Sequence, residues 1–134
     1  MKIKDGIYWI GTLNPTLRTF DVIMNTEYGT TYNSYLITDE KTVIIDAGAR
    51  KFTDLYLEKV KSATDPAKVD YIVVQHSEPD HTGALQYLLE LCPNAQVLCS
   101  KPAAKWLGEI MNRDFNVRTV EDGEEISIGR RTLC

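Results

Sequence analysis

A chain of 134 residues suits one domain and leaves no room for two full ones. Its 43% hydrophobic and 25% charged residues exclude a disordered tail. A net charge of −4, with no basic run longer than Arg130-Arg131, excludes the electrostatic footprint of a nucleic-acid binder.

The first residues, MKIKDGIYWIG, carry charge but no apolar core of a signal peptide. No stretch approaches the roughly 18 uninterrupted apolar residues of a membrane span. A cytoplasmic protein is expected. Ile7–Gly11 reads as a short strand. Tyr28 and the polar run Gly29–Ser34 read either as a structural turn or as the lining of a cleft. Asn33–Thr38 and Thr42–Asp46 are strands joined by a turn at Asp39-Glu40-Lys41, and Gly48 permits a sharp exit from the second. A helix over Lys51–Ser62 follows, with Phe52, Tyr56 and Val60 on one apolar face.

Asp65-Pro66 breaks that pattern. Val69–Gln75 is a strand whose centre is nearly all apolar, as expected where both sheet faces are covered. His76–Thr82 reads as a loop, and Gly83–Cys92 as a second amphipathic helix stopped by Pro93-Asn94. After the strand Ala95–Cys99, Ser100 caps a third helix with Pro102 in its first turn. That helix reaches about Asn112, with Leu107, Ile110 and Met111 inward and Trp106 packed. Trp9 is also read as packing. Val117–Val120, Glu125–Ile128 and Arg131–Cys134 close the chain as short strands, with a turn at Asp122-Gly123. The order is that of an α/β fold. Cys92, Cys99 and Cys134 form no C-x-x-C pair and read as buried or half-buried thiols. The last strand runs to the final residue, which points to a fragment.

The chemistry concentrates in Gln75-His76-Ser77-Glu78-Pro79-Asp80-His81-Thr82-Gly83. Four potential metal ligands fall within six residues, and both histidines of the chain are among them. In an extended segment residues i, i+2 and i+4 point the same way, so His76, Glu78 and Asp80 converge on one side. Pro79 holds Glu78 extended, and His81 enters the turn and reaches back to a second metal position. The position at the carboxyl end of a strand is where open α/β sheets bind ligands. Imidazole with carboxylate, without thiolate, suits iron, manganese or zinc. The blander reading of Glu-Pro-Asp-His is a polar loop with a helix-capping carboxylate. Asp46 has two readings of equal weight, an acceptor that orients the metal loop and a plain turn aspartate. Neither glycine-rich phosphate-loop pattern occurs.

His76-x-Glu78-x-Asp80-His81 resembles the first ligand motif of flavodiiron proteins, a branch of the metallo-β-lactamase superfamily. Hydrolytic members carry H-x-H-x-D-H, and glutamate at the second position, here Glu78, marks the diiron branch. GTTYNSYLI, TVIIDAG and HSEPDHTGAL extend the resemblance over essentially the whole chain. It implies the N-terminal part of a metallo-β-lactamase-like αββα sandwich holding a non-haem diiron centre, with His76 and Glu78 on one iron and Asp80 and His81 on the other. His81's position is not a ligand in every family member. The resemblance further implies a flavodoxin-like FMN domain, a homodimer, and electrons from a rubredoxin-like or flavin-reductase donor, spent on reducing dioxygen to water or nitric oxide to nitrous oxide. The family's further ligands, a histidine, a bridging aspartate and a final histidine, have no counterpart here, and no third histidine exists. The expectation for these 134 residues alone is an incomplete metal site, no FMN, no turnover, and exposed apolar surface that favours self-association. The alternative is a zinc-dependent hydrolase working through a metal-activated hydroxide.

Overall fold

The computed structural model describes residues 1–20 and 22–134. Short strands open the chain: β1 (Lys2–Lys4), β2 (Ile7–Trp9), β3 (Thr12–Asn14), β4 (Thr19–Phe20), β5 (Met24–Asn25) and β6 (Thr30–Tyr32). Then come β7 (Tyr35–Thr38), β8 (Thr42–Ile45), helix α1 (Thr53–Ala63), β9 (Val69–Val73) and the one-turn helix α2 (Pro79–Thr82). Helix α3 (Leu85–Leu91), β10 (Gln96–Cys99), α4 (Lys101–Met111), β11 (Val117–Thr119), β12 (Ile126–Ser127) and β13 (Thr132–Leu133) complete it.

Seven strands make one mixed sheet in the order β1-β2-β7-β8-β9-β10-β11. Pairing is antiparallel from β1 to β8 and parallel from β8 to β11. The switch follows from the connections. A short turn at Asp39–Lys41 can only reverse the chain, whereas α1, α3 and α4 return it for parallel strands. Near Thr42 the β8–β9 register shifts, and Asp70 Oδ2 accepts from the Thr42 amide at 2.8 Å in place of a ladder bond.

Helices α1, α3 and α4 cover one face. Tyr56, Val60, Leu85, Leu88 and Leu107 pack there against Leu36, Ile44, Ile72 and Val97 in one buried cluster. Each such fully buried aliphatic side chain contributes about 1.5–3 kcal/mol. On the other face, Ile37 and Val43 pack with Ile128, flanked by Ile7, Ile45, Tyr71, Val73 and Leu133. The β12–β13 hairpin thus begins a third layer over a helix-on-sheet pair. Asp39 ties it down, its carboxylate accepting from the amides of Arg130 and Arg131 at 3.1 and 3.0 Å and from the Arg131 guanidinium at 3.2 Å.

Several expectations are corrected. Residues 79–82 of the expected loop are helical, because Pro79 supplies the fixed φ of a first helical position. Thr30–Tyr32 is a strand paired with β3 rather than a turn. Ile110 is 56% exposed and Trp106 52%, so α4 turns inward mainly through Leu107. Cys134 is exposed, while Cys92 and Cys99 are buried. The Ser100 cap stands, its Oγ accepting from the Ala103 amide at 3.4 Å. Trp9 is half-buried, with Lys59 Nζ 4.8 Å over its ring.

Candidate metal centre

The site lies where β8 and β9 end side by side. Beyond β9, Val74 keeps the ladder by donating to Leu98 O at 2.9 Å. The Gln75 amide instead donates to Asp46 Oδ1 at 2.9 Å. The carboxylate thus replaces the next sheet acceptor, and the chain leaves the sheet at His76. Glu78 remains extended (φ −70°, ψ 157°), and at Pro79 the chain turns into α2.

That bend divides the motif differently from a continuous extended segment. His76 Nε2 lies 3.4 Å from Glu78 Oε1, and His81 Nε2 lies 3.4 Å from Asp80 Oδ2. Asp80 therefore joins His81, not His76 and Glu78, because helical geometry ends the two-residue alternation at Pro79. The two imidazole rings stand edge to face with centroids 5.3 Å apart. Among the described residues no group of three or more His, Cys, Asp or Glu side chains gathers closely enough to hold a metal ion. What the loop presents is two nitrogen–oxygen pairs.

Each pair fits a shared cation. At 3.4 Å the atoms are beyond the ordinary N–H···O range. With metal–ligand bonds of about 2.0–2.2 Å, two donors on one ion stand roughly 3.0–3.4 Å apart. The donor set, one imidazole and one carboxylate in each half, suits iron, manganese or zinc.

The halves are held unequally. His76 and Glu78 side chains are 54% and 57% exposed, against 32% and 27% for His81 and Asp80. The inner half is anchored by Asp46, whose Oδ2 is 2.8 Å from His81 Nδ1. Asp46 is thus the orienting acceptor of the two readings. With the Nδ1 proton directed at this carboxylate, the Nε2 lone pair faces Asp80 and is available to a metal. The Ala47 amide also donates to His81 O at 2.7 Å, and Gly48 bridges to Thr82. Thr82 Oγ1 lies 3.0 Å from both Ser77 O and Glu78 O and shares its one proton between them, closing the loop on itself.

Two residues that the sequence does not mark, Ser34 and Tyr56, also bear on the site. Ser34 lay in the polar run before β7 and Tyr56 on the apolar face of α1, yet both hydroxyls reach the Asp46 carbonyl. The one hydroxyl on a face shared with Phe52 and Val60 is the available signal, since a buried phenol usually finds a partner.

The metallo-beta-lactamase superfamily model matches residues 28–133. The chain is 45% identical over 130 residues to the flavo-diiron protein FprA2 of Clostridium acetobutylicum, covering 96% of this chain and 32% of that protein. It is 43% identical over 133 residues to a nitric oxide reductase of Moorella thermoacetica, covering 98% and 33%. Among solved structures, the rubredoxin oxygen:oxidoreductase of Desulfovibrio gigas superposes with a TM-score of 0.92 at 37% identity, covering 98% of this chain and 33% of that one. The flavodiiron protein of Giardia intestinalis superposes with a TM-score of 0.91 at 29% identity, covering 98% and 32%. The chain spans about a third of the length of these relatives.

Proposed function

We infer that this chain, which belongs to the metallo-beta-lactamase superfamily, supplies the leading ligand loop of the diiron domain of a flavodiiron oxidoreductase. The observation that carries this reading is the pair of imidazole–carboxylate couples with rings 5.3 Å apart, at the carboxyl end of central parallel strands. His76 and Glu78 would hold one iron, and Asp80 and His81 the other. Residues 1–134 form the opening part of the metallo-β-lactamase-like domain. The remaining iron ligands and the FMN belong to parts of a longer protein outside these residues. The chain's span of about a third of its relatives supports this division, and their names, a flavo-diiron protein, a nitric oxide reductase and a rubredoxin oxygen:oxidoreductase, support the family reading.

When bound, a diiron centre supplied with electrons by FMN would reduce dioxygen to water or nitric oxide to nitrous oxide. The residues here bind and orient. Asp46 fixes the His81 ring, Thr82 pins the loop, and Pro79 sets the turn between the two couples. Glu78 brings anionic oxygen where hydrolytic members place a second imidazole, which favours a metal that cycles through a trivalent state. Electrons come from a rubredoxin-like or flavin-reductase partner, and the assembly is a cytoplasmic homodimer. Among the described residues no helix is long and apolar enough to cross a membrane.

The test is elemental analysis of the purified chain after anaerobic exposure to ferrous iron, beside His76→Ala and Glu78→Ala. Iron retained by the wild type and lowered in both variants supports the reading. Zinc retained in preference to iron, and unaffected by Glu78→Ala, points to the hydrolase instead. In the whole protein, either substitution is expected to abolish consumption of oxygen and nitric oxide.

A further inference from the structure

Asp46 holds the loop from an unusual backbone conformation. Its φ of +57° lies in the left-handed region, where a residue with a Cβ is strained. That conformation separates its functions. The carboxylate faces the metal loop, with Oδ1 on the Gln75 amide and Oδ2 on His81, while the carbonyl points back into the core. A carbonyl directed there needs buried donors. Ser34 Oγ donates to it at 2.8 Å. Tyr56 Oη lies 3.2 Å from the same oxygen and 3.0 Å from Ser34 Oγ, so its one proton serves either. Both residues are buried, Ser34 between β6 and β7 and Tyr56 on α1. Packing alone does not call for either hydroxyl, because alanine and phenylalanine would occupy the same apolar surroundings. Burial also raises the Tyr56 phenol far above its ordinary value, so it stays a proton donor throughout the working pH range.

We propose that Ser34 and Tyr56 are positioning residues for His81, acting through Asp46. Their hydroxyls hold the Asp46 carbonyl inward, which keeps the strained backbone in place and the carboxylate on His81 Nδ1. Without them only the Ala47 amide bond to His81 O restrains the Asp46–Ala47 peptide, which then rotates, the carboxylate leaves the ring, and Nε2 takes the proton that blocks a metal. This deepens the diiron reading and rests on His81 being a ligand.

The two histidines make the test direct. The ring nitrogens of the metal-free chain, labelled with ¹⁵N-histidine, are measured by NMR at a pH well above the ordinary histidine value. In the wild type His81 is expected to carry its proton on Nδ1 in nearly all molecules. In Ser34→Ala/Tyr56→Phe that population is expected to fall below half, with His76 unchanged. The affinity for Co²⁺ alone is expected to weaken about tenfold or more. A folded double variant with an unchanged His81 tautomer overturns the proposal, even if Co²⁺ affinity falls. Should the double variant not fold, Tyr56→Phe alone must still shift the population, and an unchanged tautomer there overturns it equally. A tautomer shift with no Co²⁺ bound by any variant supports the positioning chain and counts against the metal-site reading.

Discussion

Asp46 Oδ2 and His81 Nδ1 stand 2.8 Å apart across 35 residues of sequence, and this bond ties the end of β8 to the helix that follows β9. Asp46 is almost wholly buried and His81 a third exposed, so the bond is protected from water on its carboxylate side. Removing the imidazole strands Oδ2 while Oδ1 keeps the Gln75 amide, and the cost of a buried acceptor without its donor is about 1–3 kcal/mol. His81→Ala is therefore expected to lower the denaturant midpoint by that equivalent. His76→Ala, more than half exposed, is expected to stay within about 0.5 kcal/mol. Equal losses in urea titrations of the two variants would contradict this asymmetry.

Gly83 carries a steric demand. Its own φ of −59° is open to any residue, but a Cβ there would collide with the Arg50 amide nitrogen and lie 2.6 Å from Pro79 O. Both are backbone atoms and neither yields easily. Gly83→Ala is expected to cost about 1–3 kcal/mol, as for other overpacked sites, and to push α2 away from the Gly48 segment. Thermal unfolding and the amide resonances of Ala47 and Ala84, which bond to His81 O and Gly48 O, would report it.

Acid should loosen the β12–β13 hairpin through Asp39. The amide of Arg130, foremost, then the amide of Glu40 and the guanidinium and amide of Arg131 hold its carboxyl below the ordinary 3.8, against the opposing effect of burial. A depressed folded-state pKa gives stability that is present above the unfolded value and lost as pH falls through the folded one. The loss is thus expected below about pH 4, and Asp39→Asn should flatten that part of the stability curve. An unchanged acid limb in the variant would show that the carboxylate contributes nothing there.

The thiols differ by burial. Cys134 is exposed, whereas burial pushes the Cys92 thiol up to about 11 and raises Cys99 as well. A disulfide reagent at neutral pH is expected to titrate one thiol promptly in the native chain and all three in denaturant. Prompt labelling of Cys92 would mean that the helix–sheet interface opens.

The strands and helices of the sheet were legible because their periodicities are strong. The apolar run of Val69–Val73 and the Tyr56–Val60 face of α1 lie where the pattern places them. The four candidate ligands of the loop are legible from composition alone. Their grouping was not, because alternation persists only while the backbone stays extended, and a proline that preserves Glu78 also begins the helix beyond it. The sequence leaves two readings of Asp46 open because its partner lies 35 residues away. Ser34 and Tyr56 were hidden for the same reason, since each meets Asp46 only through the fold. The short opening strands β3 to β6, of two or three residues each, carry too few positions to show any period.

The bend at Pro79 makes six consecutive residues act as a ruler. No flexible segment lies between the two imidazole–carboxylate couples, so their separation is written into a handful of backbone torsions. An inserted or deleted residue between Glu78 and Asp80 would not merely shift one couple. It would rotate Asp80 and His81 about the helix axis and carry the ring off Asp46, so both couples would lose their common gauge at once.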